Sequence, residues 1–142
     1  MPAWNSNTGF LMSESVFRIK LAVRDYECDM QGVVNNAVYQ NYLEHARHEF
    51  LKSRGLDFAH LTAAGIIVVV VRAELDYLRS LRSGDVFEVS VETWRESRLR
   101  LGFRQKITLA DGGDMIMQAA VLTTALNERG RPWLPEPLLA LL

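Results

Sequence analysis

The sequence predicts an α+β domain in which one long helix packs against an antiparallel sheet. Apolar residues recur at spacings of three and four over residues 39–51, which is typical of an amphipathic helix. From residue 66 onward the chain changes to β-branched and alternating segments, which are typical of strands. Because the helix is apolar on one stripe only, one curved sheet that wraps one helix is the economical arrangement.

The composition fits one globular domain and excludes several other classes of protein. The chain has 142 residues, of which 49% are hydrophobic and 23% are charged, and its formal net charge is -1. This balance does not favour a nucleic-acid surface, and no apolar run approaches the roughly 18–20 residues that cross a bilayer. The single cysteine, Cys28, excludes an intrachain disulfide. We expect a cytoplasmic protein with no secretory signal, a loose arm over residues 1–14 and one domain over residues 15–142.

The first strand and the long helix are predicted from their patterns and their flanking residues. Alternation over Val16–Val23 predicts a strand. Asn35 or Asn36 is a suitable N-cap for the helix, and Gly55 is a suitable C-terminal stop. The helix therefore has about 18 residues and a length near 27 Å at about 1.5 Å per residue. A shorter helix is expected within residues 56–64.

Four more strands are predicted after Gly65. They are Ile66–Tyr77, Val86–Trp94, Leu99–Leu109 and Met115–Asn127. The last of them alternates poorly, so we expect it to contain an irregularity. Residues 111–113, with the sequence Asp-Gly-Gly, are a hairpin signal, and a proline-bearing tail begins at Arg129.

The segment before the helix is the strongest candidate for chemistry. Asp25, Glu27 and Asp29 lie within five residues of one another, just before the helix begins. A helix N-terminus presents unpaired N–H groups and a positive partial charge, which can hold a carbonyl oxygen as it becomes an oxyanion. A carboxylate beside it can act as a base on water or as a nucleophile. This equipment suits the hydrolysis of an activated acyl group, although three acids in a loop are more commonly a solvated turn.

A longer pattern points to a known family. The string Asp29-x-x-Gly32-Val33-Val34-Asn35-Asn36-x-x-Tyr39 continues through Tyr42, Glu44, Ala46, Arg47 and Glu49. It resembles the signature of the hotdog-fold thioesterases. Within that superfamily it is most similar to the 4-hydroxybenzoyl-CoA thioesterase-like branch, and there to the plant acyl-thioesterases that supply β-keto acids for methylketone synthesis. The resemblance covers residues 16–135 and is specific for the family but weak for the substrate.

The resemblance implies a fold, an assembly and a substrate class. The hotdog fold is a long central helix wrapped by a five-stranded antiparallel sheet. Its members form a homodimer or homotetramer with active sites at the dimer interface, and they need no metal and no cofactor. The implied substrate is an acyl-CoA or acyl-carrier-protein thioester, with a fatty or β-keto acyl group favoured over an aromatic one. No nucleic-acid or membrane partner is expected.

The resemblance also implies roles for individual residues. Asp29 corresponds to the catalytic carboxylate, as nucleophile or as general base, and Asn36 to the helix N-terminal amide that polarises the thioester carbonyl. Substrate binding is assigned to Gly32, Val33, Val34, Asn35 and Tyr39. Many relatives carry His at the position of Val33 or Asn36, so a mechanism that relies on such a His is not expected here.

A row of basic residues lies on the polar face of a predicted strand and the turn before it. These residues are Arg98, Arg100, Arg104 and Lys106. A solvated edge is the simple interpretation, and it suits Arg104 and Lys106. Arg and Lys both bind phosphate, and relatives often hold the nucleotide with this region. We therefore predict that Arg98 and Arg100 bind the phosphates of CoA or an acidic carrier protein.

Other candidate residues have simpler explanations. If the loop is extended, Asp25, Glu27 and Asp29 share one face. Independently of that, Arg47 is expected to form an ion pair with an acid of this loop. Cys28 would then point the opposite way from Asp29, and we expect it to be a buried small residue.

Two rival functions stay open. The same fold hosts dehydratases and hydratases, which need a His paired with an acid for proton transfer, and the segment 32–36 contains no His. His45 and His48 have ligand-like spacing but no matching third ligand, so we interpret them as surface or packing histidines. The second rival is a module that binds acyl thioesters without cleaving them, and the presence of Asp29 argues against it.

Overall fold

The computed structural model describes residues 16–142. The expected N-terminal arm, residues 1–14, lies outside the described residues. The elements are β1 Phe17–Ala22, α1 Asn36–Ser53, α2 Phe58–Ala63, β2 Ile67–Tyr77, β3 Val86–Arg95, β4 Leu101–Leu109, β5 Met115–Leu126, β6 Pro132–Trp133 and α3 Glu136–Leu139, with a 3-10 turn at Asp25–Glu27. The predicted order of one strand, a long helix, a short helix and four strands is confirmed.

The strands form one antiparallel sheet in the order β1-β3-β4-β5-β2. All five predicted strands are present, and the structure adds a two-residue strand, β6, which pairs with the end of β5. The side chain of Asn127 stabilises the turn that brings β6 back alongside β5, because its Oδ1 accepts hydrogen bonds from the backbone N–H groups of Arg129 (2.8 Å) and Arg131 (3.0 Å). The proline at position 132 has no N–H to donate, which helps to keep β6 short.

Helix α1 has the length and the buried stripe that the spacing predicts. The side chain of Asn35 caps it by accepting the N–H of Ala37 (3.2 Å), and Gly55 follows its end with φ +77°. The buried residues are Tyr39, Tyr42, Leu43, Ala46, Phe50 and Leu51. They pack in the core with side chains of the sheet, and the closest approach of the helix backbone is to β1 and β3.

The irregularity predicted in the last strand is present at Ile116. In the β4–β5 register Ile107 pairs with Met117 and Thr108 pairs with Met115, so Ile116 is an extra residue. Strand β5 is buried on both faces over most of its length, which explains its poor alternation.

Strand β2 lies at one end of the sheet, and its exposure distinguishes it from the other strands. Ile67, Val70, Val71 and Tyr77 are between 44% and 51% exposed. Among residues 16–142 no strand pairs with its outer edge. Within residues 16–142, β2 therefore presents a long apolar edge whose outward backbone groups are not paired with another strand.

The C-terminal helix α3 closes one end of the core. Leu138 and Leu141 are buried, and the hydroxyl of Thr93 donates to the carbonyl of Leu141 (2.8 Å).

None of the helices between residues 16 and 142 is both long and apolar enough to cross a bilayer.

Candidate active site

A tight loop between β1 and α1 carries Asp29. The backbone N–H of Asp29 donates to Val33 (2.9 Å), and the N–H of Gly32 donates to Asp29 (3.0 Å). Gly32 has φ +80°, a conformation that favours glycine. The loop therefore folds back on itself directly before the helix.

The carboxylate of Asp29 is exposed and binds backbone groups of its own loop. Its Oδ1 accepts N–H bonds from Gln31 (2.8 Å) and Val33 (3.4 Å). These bonds orient the carboxylate through Oδ1 and do not involve Oδ2. Asn36 is the first residue of α1, so its N–H is one of the amides that the helix itself cannot satisfy.

Asp29 and Asn36 open on one shared cleft of about 350 Å³. The cleft is lined by Asp29, Val33, Val34, Asn36, Tyr39, Tyr77, Leu78, Arg79 and Ser80. The structure thus brings together five of the residues that the resemblance implicates. Gly32 and Asn35 do not line the cleft. Gly32 shapes the loop and the Asn35 side chain caps α1.

Two tyrosines connect the cleft to the rest of the domain. Tyr39 is buried, and its hydroxyl oxygen accepts the N–H of Leu81 (2.9 Å). Burial is the main cause that raises the pKa of Tyr39. The hydroxyl of Tyr77 donates to the carbonyl of Asn36 (3.2 Å), and its ring meets that of Tyr39 edge to face at 5.5 Å. The end of β2 therefore lies against the first turn of α1.

The contribution of residues 77–80 to the cleft is not predicted from the sequence. These residues follow β2 and come close to the loop only through long-range contacts. Val34 donates its N–H to Leu81 (2.9 Å), and Val33 forms an isolated bridge with Arg82. The polar run at residues 79–85 predicts a turn, but no pattern in the sequence places that turn beside Asp29.

The structure does not bring Arg98 and Arg100 to the Asp29 cleft of the same chain. The two arginines lie in the β3–β4 hairpin, next to Leu101 at the start of β4. The Asp29 loop follows β1, whose last residues pair with the start of β3, and the start of β3 pairs with Leu109 at the other end of β4. Leu109 lies eight residue steps along β4 from Leu101, which corresponds to about 27 Å.

The loop is not extended at Asp25 and Glu27, and the ion pair predicted for Arg47 is wrong. Asp25 and Glu27 belong to a 3-10 turn, so they do not share an extended face with Asp29. Arg47 forms no ion pair with the loop and instead donates from Nη1 to Gln105 Oε1 (3.0 Å). Gln105 is fully buried on the core face of β4, and burial lowers the pKa of Arg47.

The remaining candidates behave largely as simple structural residues. Cys28 is half-buried and bridges to Val34, rather than being fully buried. His48 packs on Phe58 with ring centroids 4.4 Å apart, and His45 is exposed. Within residues 16–142 no group of three His, Cys, Asp or Glu is arranged to hold a metal ion.

A groove runs along α1 beside β2. It contains two cavities of about 230 Å³ each, and both are bordered by Glu44, Arg47 and Val70. One cavity begins at Gln40, about one helical turn beyond Asn36. The groove therefore starts near the cleft and continues along the helix.

Comparison with known proteins gives consistent matches. A family model described as the thioesterase-like superfamily matches residues 23–140. The chain is 38% identical over 114 residues to the chloroplastic acyl-acyl carrier protein thioesterase ATL3 of Arabidopsis thaliana, covering 80% of this chain and 60% of ATL3. It is 28% identical over 116 residues to the acyl-CoA thioester hydrolase YbgC of Escherichia coli O157:H7, covering 82% of this chain and 86% of YbgC.

A solved structure shares the whole architecture. The crystal structure of a hypothetical protein from Aquifex aeolicus superposes with a TM-score of 0.81 at 30% identity, covering 89% of this chain and 98% of that chain. The expected α+β hotdog fold is therefore confirmed. The chain spans about three fifths of the length of ATL3.

Proposed function

The chain belongs to the thioesterase-like superfamily, and from this premise we propose that it hydrolyses acyl thioesters carried on coenzyme A or on an acyl carrier protein. The observation that carries this proposal is the shared cleft of Asp29 and Asn36. A carboxylate can activate water or attack the carbonyl carbon, and the N-terminus of a helix can hold the oxyanion that forms, so the two groups together are sufficient to hydrolyse a thioester.

The proposed reaction uses one water molecule and releases a carboxylic acid and a thiol. The N–H of Asn36 polarises the thioester carbonyl and holds the oxyanion that forms. Asp29 either removes a proton from the attacking water or attacks the carbonyl carbon itself, in which case water then hydrolyses the resulting anhydride. The thiolate is a good leaving group, so the C–S bond breaks with little help from a general acid.

We propose that the acyl chain lies in the groove along α1. Apolar side chains of the groove include Val68, Val70, Leu75 and Phe103, which suits a fatty or β-keto acyl group better than a polar one. The name of ATL3 as an acyl-acyl carrier protein thioesterase supports the carrier-protein form of the substrate.

We propose that the enzyme works as a homodimer, or as a homotetramer made of two such dimers, through the free edge of β2. Two copies related by a two-fold axis would pair their β2 strands antiparallel. This pairing would place the Ile67 end of one copy beside Tyr77 of the other. The β3–β4 hairpin lies at the Ile67 end of the sheet, so the partner's Arg98 and the partner's Arg100 would move toward the Asp29 cleft and bind the phosphates of the substrate.

The experiment that tests this function is the release of free thiol from a panel of acyl-CoAs and acyl-carrier-proteins. The panel includes fatty, β-keto and aromatic acyl groups, and an enoyl-CoA monitored for loss of its conjugated double bond. Release of thiol supports the hydrolase. Hydration of the enoyl-CoA would support the rival function of a hydratase or dehydratase. Tight binding without either reaction would support a module that binds acyl thioesters without cleaving them. The cytoplasmic location expected from the sequence stays a prediction.

A further inference from the structure

We infer that Glu27 is a positioning residue that holds the Asp29 loop at a fixed position relative to the N-terminus of α1. This inference rests on the proposed function, because it explains how the two reacting groups keep their relative position. Glu27 lies two residues before Asp29 and does not line the cleft, so it acts through its contacts with other residues.

Glu27 connects the loop to α1 at two points. Its carboxylate Oε1 accepts the hydroxyl of Tyr42 (2.8 Å) and the backbone N–H of Arg24 (2.8 Å). Its carbonyl oxygen accepts the N–H of Asn35 (3.0 Å), the N-cap residue. The side chain therefore reaches the second turn of α1, while the backbone of the same residue reaches the helix N-terminus.

Tyr42 is a rigid anchor for this connection. It is 5% exposed, and its ring packs against Phe87 with centroids 4.7 Å apart and against Tyr39 at 6.1 Å. Burial and the hydrogen bond to Glu27 raise the pKa of Tyr42, so the phenol stays protonated and remains a donor. A hydrogen bond to a carboxylate is roughly twice as strong as a neutral one.

The carboxylate of Asp29 has no comparable contact with α1. Its Oδ1 binds only N–H groups of its own loop, from Gln31 and Val33. The placement of Asp29 relative to Asn36 therefore depends on the points where the loop is attached. On the incoming side of the loop these attachments are the Glu27 contacts and the bridge between Cys28 and Val34.

Asp25 provides a matched control in the same 3-10 turn. Its carboxylate accepts the hydroxyl of Ser83 and so contacts the β2–β3 connection rather than α1. Asp25 is exposed, like most of that turn. Removal of either acid deletes one negative charge from the loop, but only removal of Glu27 breaks the connection to Tyr42.

The test compares Glu27→Ala, Glu27→Gln, Tyr42→Phe, Asp25→Ala and Asp29→Asn in steady-state thiol release. Glu27→Ala should lower kcat by about 10- to 100-fold, because a displacement of about 1 Å at the reacting groups has an effect of that size. KM should change by less than about threefold, since the groove is untouched. Glu27→Gln keeps a carbonyl acceptor for Tyr42 and should retain most of kcat, and Asp25→Ala should match the wild type.

Tyr42→Phe removes only the hydroxyl and keeps the packed ring, so it tests the connection even if Glu27→Ala fails to fold. It should lower kcat by about 3- to 10-fold. Wild-type kcat in both Glu27→Ala and Tyr42→Phe would overturn the inference. Glu27→Gln that is as inactive as Asp29→Asn would also overturn it, because Glu27 would then be a reacting carboxylate.

Amide hydrogen exchange separates this inference from the proposed function. Exchange at Asn35 should become at least about tenfold faster in Glu27→Ala than in Asp25→Ala, whether or not thiol is released. If the wild type releases no thiol, the proposed function fails and this measurement alone decides the role of Glu27. Equal exchange at Asn35 in the two variants would contradict that role.

Discussion

The backbone N–H of Leu81 donates a 2.9 Å hydrogen bond to the hydroxyl oxygen of Tyr39, and both residues are buried. Tyr39→Phe leaves that N–H without a partner away from water. We expect the free energy of unfolding to fall by about 1–3 kcal/mol, the usual penalty for a buried unsatisfied donor. Urea unfolding measures this loss as a lower midpoint with an unchanged slope.

Tyr26→Phe is the matched control for that substitution. Tyr26 is 76% exposed, and its hydroxyl accepts a hydrogen bond from Arg24 at the surface. Its loss should change stability by less than about 0.5 kcal/mol. Equal stability of the Tyr39 and Tyr26 variants would show that the bond to Leu81 does not hold the turn against α1.

Val71 tests the proposed assembly through β2. It is 44% exposed on the free edge, and Val71→Glu would bring two like charges close together in a two-fold pairing of this strand. Light scattering after gel filtration should therefore show a mass half that of the wild type. Activity should fall as well, because the cleft would lose the partner's Arg98 and the partner's Arg100.

Val86→Glu provides the comparison. Val86 is 42% exposed but lies at the start of β3, inside the strand order. This variant should keep the mass of the wild type. An unchanged mass for Val71→Glu would rule out assembly through the edge of β2.

His48 makes stability depend on pH. Burial is the main cause that lowers the pKa of His48 below its ordinary 6.5, and Arg47, His45 and Lys52 add to the shift while Glu44 opposes it. The unfolded chain therefore binds this proton more readily than the folded one. The contribution is fully present above the ordinary pKa and is lost as pH falls through that value toward the lower folded pKa.

Urea unfolding at several pH values between about 7 and 5 measures this contribution. His48→Gln should show a smaller loss of stability over that range than the wild type. His45→Gln, on the exposed side of the helix, should follow the wild type. The same pH dependence in all three proteins would contradict a role for His48.

The fold was largely predictable because its signals are local. The helix stripe from Tyr39 to Leu51 depends on spacing alone, and the hairpin at residues 111–113 depends on its local turn residues Asp-Gly-Gly. The strand β6 was missed because it depends on the side chain of Asn127 accepting two backbone N–H groups. Gln105 was missed as a core residue because its burial depends on acceptors and donors from α1 that only the folded chain supplies.

The candidate site was predictable where it follows a continuous motif. Residues 29–39 carry the resemblance, and the structure places Asp29, Asn36 and Tyr39 on one cleft. Tyr77 and Ser80 come from a different part of the chain, and their place in the cleft depends on the pairing of β2 with β5. Arg98 and Arg100 were predicted from a local row of basic residues, and that pattern does not indicate where the β3–β4 hairpin lies relative to the Asp29 loop.

The most direct test of the proposed role of Asp29 is the thiol-release rate of Asp29→Asn beside Asp25→Asn, an isosteric change at an acid four residues away. Both variants keep the size of the side chain and remove one negative charge. We expect Asp29→Asn to lose about a hundredfold or more in kcat, because it removes the reacting carboxylate, while Asp25→Asn stays near the wild type. A fully active Asp29→Asn would contradict the proposed mechanism.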